Sequence, residues 1–383
     1  MAESLTERQT LPQRPHLLIN GSPNAAVSQA MLELHIWAEP SRPRRCLLRL
    51  SNWDRQRDGA GYTFFDDPSL DYGTTLSVLV GEGLQETTLF KGEILGLEAE
   101  YPTGRPPELV VHAADRLHRL DRVRRSRGFS EITDADLADF LLSEHGLQHD
   151  INLPGPAVKE QLQLDQSDLE LLQTRLAARD ALVWLADDIA FVRPVLQVAS
   201  QVLELTYGGE LQSANFTASL EGQSASLGVS GWQPETKAGV FAAANQASLS
   251  GESGSLETAP NLAAAHFQED DQVLLHAQAA SFSQAQSLAD VRMRQQARRF
   301  VQGRCRTSLI PELLPGQVVS LDGLGPWFDG AYRVSALHHH FSEQGFASDF
   351  SVQRPGRLAE KRRPAKPPAH DSPAQQKPGR KAI

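Results

Sequence analysis

Apolar and polar residues alternate along most of this chain, and turn residues break the alternation into short runs. The stretch Leu313 to Phe350 shows the pattern most clearly. Val318, Val319 and Leu321, then Tyr332, Val334 and Ala336, follow the rhythm of half-buried strands. Pro315-Gly316, Asp322-Gly323, Gly325-Pro326, Asp329-Gly330 and the Glu343 to Gly345 bend separate these strands. The pattern predicts a small antiparallel β-barrel or meander. An echo lies upstream, from Gly73 to Tyr101. Each copy has a turn glycine, an apolar strand, a Gly-rich bend and then Phe-x-Gly-x-apolar. That last element is Phe90, Gly92 and Ile94 in the first copy, and Phe328, Gly330 and Tyr332 in the second. The chain thus reads as two copies of one small barrel.

The remaining pattern fills in the fold class: mainly β with an α+β insert. Strands are predicted at His16–Ile19, Ala30–Ala38, Cys46–Leu50 and Glu108–Ala113. With the echo they give about six strands, enough to close a barrel. Thr133 to Asp136 resembles a capping box, with Leu137, Phe140 and Leu141 on one face and Gly146 as the stop. Ser167 to Glu170 is a second box, followed by the stripe Leu169, Leu172 and Leu176. Leu162–Leu164 reads as a strand, and Ala181–Pro194 as a hairpin turned at Asp187-Asp188. Further strands are expected at Leu203–Tyr207, Ser213–Leu220, Ala225–Trp232 and Val273–Ala277. Ala238–Leu262 is rich in Ala, Ser and Gly and reads as a flexible loop. Ser283–Phe300 is a helix with Leu288, Val291 and Phe300 inward, and Arg292, Arg294, Arg298 and Arg299 mostly outward.

These elements divide the chain into a disordered N-terminus (1–15), a first barrel (16–115), an α+β insert (116–200), a β-rich connecting domain (201–282), a helix with the second barrel (283–354), and a disordered, basic, Pro-rich tail (355–383).

Charge and cysteine content narrow the function classes. The chain has 383 residues and a net charge of −10, which argues against general nucleic-acid binding. The basic run Arg116–Arg127 reads as a solvated link between domains, and the basic tail as a linker or docking segment. Two distant cysteines, Cys46 and Cys305, suggest a reducing compartment rather than a disulfide framework. The polar N-terminus does not read as a secretory signal, and no run of roughly 18 apolar residues predicts a membrane span.

Candidate chemistry is sparse. A strand through His338, His339 and His340 sends the first and third to one face, a geometry open to zinc. No Cys or carboxylate spacing completes such a site, so surface or interface histidines are the expectation. Asp187-Asp188 and Glu269-Asp270-Asp271 lie in turn-like contexts rather than facing across a cleft. Ser167, flanked by Asp165 and Asp168, lacks a motif-spaced histidine and reads as a helix cap. No phosphate-cradling loop or paired Cys-x-x-Cys is present. The expectation is no catalytic residue, no cofactor and no bound metal.

Three segments, in their order along the chain, carry a family resemblance. They are Leu162–Leu185, the element Gly231-Trp232-x-Pro-x-Thr-Lys237, and Arg298–Phe341 with Gly303, Pro315-Gly316, Val319, Leu321, Gly323, Gly330, Tyr332, Val334 and His339. Together they resemble the late control protein D family. These are baseplate hub proteins of contractile phage tails and related contractile injection systems, similar to the hub part of VgrG-type spike proteins. Gln233 stands where the family carries Asp. The resemblance covers roughly residues 16 to 353 and lacks the OB-fold and needle of spike proteins, so piercing would fall to a separate partner. It implies a homotrimer whose two barrels per chain give six similar units. That ring would adapt a hexameric inner tube to a trimeric spike, beside baseplate wedge or sheath-associated proteins. It would be made in the cytoplasm without a signal peptide and built into a phage-tail-like particle. Leu76, Val78 and Val80 are candidates for the apolar subunit interface. Two other classes remain open: a tail-associated cell-wall hydrolase, and a carbohydrate- or cargo-binding β-protein using Trp232 and Trp327.

Overall fold

A computed structural model of the chain describes residues 14–53, 61–65, 67–81, 86–198, 202–252, 256–267, 271–274 and 279–358. The expectations for the N-terminus through residue 13, the loop from Asp54, Glu269-Asp270, residues 275–277 and the tail from residue 359 lie outside the described residues.

The first unit contains β1 (His16–Ile19), β2 (Ser22–Pro23), α1 (Ala25–Ala30), β3 (Met31–Ala38), β4 (Arg45–Ser51), β5 (Thr75–Val80), β6 (Thr87–Glu100) and β7 (Glu108–Ala114). Asn20 and Gly21 both take left-handed backbone angles, which turns β1 tightly into β2. Alternation sends Leu34, Ile36, Leu48, Leu50, Leu76, Val78, Phe90, Ile94 and Val111 into one core. Leu76, Val78 and Val80 are therefore buried within the unit and supply no interface area, because β1 and β6 flank β5 and the core takes its apolar side.

The insert contains β8 (Arg124–Ile132), α2 (Asp134–Glu144), β9 (Gln148–Ile151), β10 (Val158–Ser167), α3 (Asp168–Ala178), β11 (Ala181–Ala186) and β12 (Ile189–Pro194). Both helices begin in full capping boxes, Thr133 with Asp136 and Ser167 with Glu170. Asp187 and Asp188, both left-handed, turn the β11–β12 hairpin. The basic run departs from the expected solvated link. Residues 116–121 form a 3-10 turn and Arg124 to Ile132 pair with β10. Arg124, Arg125 and Arg127 meet Asp165, Glu170, Glu144 and Asp168, so acids distant in sequence neutralise the end of the run.

The rest of the chain contains β13 (Leu203–Thr206), β14 (Leu211–Ala218), β15 (Ser226–Gln233), β16 (Ala238–Ala244), β17 (Leu256–Thr258), α4 (Ala259–His266), β18 (Asp271–Leu274), α5 (Phe282–Ala297), β19 (Val301–Thr307), β20 (Val318–Asp322), β21 (Gly330–Ser342), β22 (Gly345–Arg354) and β23 (Gly356–Leu358). The described residues of 238–262 are thus not one flexible loop: β16, a 3-10 turn at Gln246–Leu249, β17 and the start of α4 occupy them. Val240, Ala242 and Ala244 face Ala285 and Ala289 of α5, and small side chains on both sides let strand and helix approach closely. Arg298 also differs from its outward expectation: it is buried against Asp180 and Glu252. β13 and β14 belong to the sheet of the second unit rather than to a connecting domain.

One 13-stranded sheet runs through both units. In the first, neighbours follow the order β1-β5-β6-β7-β4-β3; in the second, β13-β20-β21-β22-β19-β14. Reading each in chain sequence, the two orders match strand for strand. Two pairs of irregularities match too. The β3–β4 ladder slips between Met31 and Glu33, and β14–β19 between Leu211 and Ser213. The β6–β7 ladder slips between Ile94 and Gly96, and β21–β22 between Val334 and Ala336. Bulges re-aim strands and fix register, so four bulges in two matching pairs align the units residue by residue. Two differences stand beside them: β5–β6 slips between Val78 and Leu79 with no counterpart in β20–β21, and β1–β5 is antiparallel whereas β13–β20 is parallel. The units keep separate cores but share the sheet, because β21 of the second pairs with β3 of the first.

Candidate functional site

The seam between the units concentrates the chain's unusual side chains. β3 turns Leu34, Ile36 and Ala38 inward and His35 and Trp37 outward; β21 buries Leu337 and His339 and sends His338 and His340 outward. Antiparallel pairing sets His338 opposite Trp37 and His340 opposite His35. The four rings stack. Trp37 and His338 lie 4.9 Å apart and 5° from parallel, His35 and His338 are 5.2 Å apart, and His338 and His340 are 5.1 Å apart. His35 Nδ1 and His338 Nε2 lie within hydrogen-bond distance, at 3.1 Å.

Burial favours the neutral form of two of these rings. It pushes the His338 imidazole down to about 4, helped by the neighbouring His340 and His35, and it also lowers His35. On the core side, burial pushes His339 down to about 3, and its Nδ1 meets Ser348 Oγ at 2.8 Å. Beside the ladder, Arg306 grips Asp349 through two hydrogen bonds of 2.6 and 2.8 Å, which keeps that carboxyl below its ordinary range. A shallow cleft of about 520 Å3 opens here, lined by Trp37, Ala214, Arg304, His338, Asp349 and Phe350. Stacked imidazoles suit packing and hydrogen bonding. Among the described residues, no group of three or more His, Cys, Asp or Glu is placed to hold a metal ion.

The motif residues fall into three places. Gly73 and Gly316 are equivalent: both are left-handed, and each donates to the carbonyl of Ile94 or Val334 at 2.8 Å. Pro315 immediately precedes the second of them. The bulges shift the remaining alignment by two residues from the sequence expectation. Gly92 matches Tyr332, Ile94 matches Val334, and Phe90 matches Gly330. Sequence spacing cannot reveal this, since a shift of two keeps every side chain on its face. Gly92 is demanded by crowding: a Cβ there would lie 2.3 Å from the Ala114 carbonyl oxygen. Phe328, Gly330 and Tyr332 gather around Arg354, whose guanidinium lies over the Tyr332 ring at 4.4 Å. It donates to the carbonyls of Trp327, Asp329 and Gly356, each at 2.8 Å. Arg354 was missed in the sequence, yet Ser348, Phe350, Val352 and Arg354 share one inward face.

The third group, Gly231, Trp232 and Lys237, lies on and beyond β15, away from both units' cores. Gly231 packs against the Ala279 carbonyl, where a Cβ would come within 2.2 Å. Lys237 is left-handed in the turn to β16, and Trp232 is exposed. Ser167 caps α3 and donates to Asp121 at 2.6 Å. Both cysteines are free and buried. No helix among the described residues is long and apolar enough to cross a membrane.

Comparisons with known proteins bear on the family and, through solved structures, on the fold. A family model described as the Alg8 N-terminal domain matches residues 15–343. No curated protein matches the chain. Among solved structures, it is similar to the 43 kDa tail protein of prophage MuSo2 from Shewanella oneidensis, with TM-score 0.67, 14% identity, and 89% of this chain and 98% of that one covered. It is similar to the tail protein from Neisseria meningitidis MC58, with TM-score 0.64, 11% identity, and 90% and 98% covered. It is also similar to the E. coli c3393 protein, with TM-score 0.57, 14% identity, and 91% and 79% covered. That protein is described as a type VI secretion component structurally similar to T4 tail proteins gp27 and gp5. The mainly β fold is the fold of these tail proteins.

Proposed function

The chain belongs to the Alg8 N-terminal domain family, and from that premise and its fold we propose that it is the structural baseplate hub of a contractile tail or injection particle. One observation carries the reading: a single chain repeats one strand order twice, with bulges at matching places. As a homotrimer, such a chain offers six near-equivalent positions around a threefold axis. One side of that ring suits a hexameric inner tube, and the other a trimeric spike. Inner tube protein, spike protein, and baseplate wedge or sheath-associated proteins are its partners in this reading. The late control protein D resemblance and the tail-protein fold support it.

The motif residues then serve construction rather than chemistry. Gly73 and Gly316 set the start of matching hairpins, Gly92 and Gly231 permit close backbone approach, and the Phe328–Tyr332 group packs around Arg354. The reading assigns no covalent step to any residue. Native mass spectrometry on the purified chain, alone and with its spike, is the test. A trimer is expected in at least one setting; a strict monomer in both overturns the reading.

A further inference from the structure

The internal seam shows how two units join, and the outer edges repeat its parts without a partner. Each unit presents one strand of the β21 kind and one of the β3 kind. Within the chain, β21 of the second unit takes β3 of the first. Their equivalents, β6 and β14, are left over. β6 pairs β5 along residues 87–93 and β7 along residues 93–100. From Leu95 onward, the edge of β6 on the β5 side has no strand partner among the described residues. β14 pairs β19 along one edge, and its other edge has no strand partner among the described residues beyond a single bridge at Leu211.

Burial marks the same gap. At the internal seam, Leu34, Ile36, Ala38, Leu337 and His339 are all buried. At the matching outer positions, Ala99 and Ala218 are exposed and Leu97, Ala214 and Phe216 are only half-buried, and Leu95 and Tyr101 beside them are 45% and 63% exposed. Long bare edges are a hazard that soluble proteins cover. Here the covering strand is already specified by the repeat.

We infer that residues 97–100 of β6 in one copy pair antiparallel with residues 215–218 of β14 in a second copy, continuing the sheet by main-chain hydrogen bonds. The matching bulges fix the register. Leu337–Ala38 becomes Leu97–Ala218, His338–Trp37 becomes Glu98–Thr217, His339–Ile36 becomes Ala99–Phe216, and His340–His35 becomes Glu100–Asn215. The stacked rings of the inner seam thus give way to Glu98 and Glu100 facing Thr217 and Asn215. Arg304, beside Asn215 on β19, adds a complementary charge. Such a head-to-tail contact closes a ring when its rotation divides a full turn. The number of copies rests on the homotrimer reading; the paired strands and their register do not.

The test uses the full chain with Glu98→Cys and Thr217→Cys together, oxidised mildly and read by non-reducing electrophoresis. Covalent dimers and trimers are expected. A control pair, Glu98→Cys with Gln212→Cys, places the second thiol five residues along, roughly 17 Å away, and is expected to stay monomeric on the gel. Hydrogen exchange on the unmodified chain gives a second readout, independent of disulfide geometry. Amides in residues 96–100 and 212–218 are expected to exchange more than about tenfold slower in the oligomer than in diluted monomer. A trimer by native mass spectrometry with neither cross-link nor protection overturns this pairing and leaves the hub reading standing. A chain that stays monomeric, with neither signal, overturns both.

Discussion

Arg298 holds Asp180 with two parallel hydrogen bonds, both 2.6 Å, and so fastens α5 to the end of the insert's α3. Both side chains are buried, and Glu252 meets the same guanidinium from another side. Removing Asp180 strips the buried Arg298 guanidinium of one of its two carboxylate partners and both of its parallel hydrogen bonds, leaving Glu252 alone. Asp180→Ala is therefore expected to cost about 3 kcal/mol in unfolding free energy. Urea denaturation measures it. A loss under about 0.5 kcal/mol, the level of a surface substitution, would show that the pair holds nothing together.

Gly92 and Gly73 are required for different reasons, and substitution separates them. A Cβ on Gly92 meets the backbone of Ala114, which cannot swing aside. Gly92→Ala is expected to cost about 2–3 kcal/mol by overpacking. Gly73 has open space and only the left-handed angle, so Gly73→Ala is expected to cost about 1 kcal/mol. Thermal unfolding of the two variants ranks them, and the reverse order would refute the crowding argument.

Acid is expected to weaken the second unit through His339. Its folded pKa, about 3, lies well below the ordinary value of 6.5 because burial disfavours the charged ring. Between these values the unfolded chain binds the proton and the folded chain does not. Stability therefore falls as pH drops from about 6.5 towards 3, and the contribution is fully present above that window. His339→Gln keeps a polar partner for Ser348 without the titration. Its melting temperature should vary less with pH between 6.5 and 4 than that of the parent; equal slopes would exclude His339 as the cause.

The two thiols are expected to be silent in the folded chain. Burial raises both, Cys305 to about 12, so neither carries appreciable thiolate near neutrality. A water-soluble thiol reagent at pH 8 should label neither until denaturant is added, after which both react. Early labelling of either would contradict the packing of the strand that carries it.

Where local chemistry decides structure, it could be read directly. Ser167 with Glu170, Thr133 with Asp136, and Asp187-Asp188 each announce an element through a few adjacent residues, and each element forms at that place. Residues 238–262 were opaque because Val240, Ala242 and Ala244 make a strand only against the small face of α5, some forty residues on. The membership of β13 and β14 in the second unit depends on β20 and β19, about a hundred residues downstream. The repeat itself was visible, but its register was not, because nothing in the sequence marks Leu95 or Ser335 as bulge positions. The ring ladder needed the seam: His338 and His340 were conspicuous, while His35 and Trp37 became their partners only when β3 met β21.

That seam also sets an order of events during synthesis. β3 leaves the ribosome early, but the strand that covers its outer edge ends at Ser342. At about 5–20 residues per second, the wait is on the order of 15–60 s. The first unit can gather its own core in that time, while the edge from Leu34 to Ala38 stays available to any passing strand. Each nascent chain must therefore extend past Ser342 before its own sheet is continuous, and crowded polysomes are where a wrong partner would be taken first.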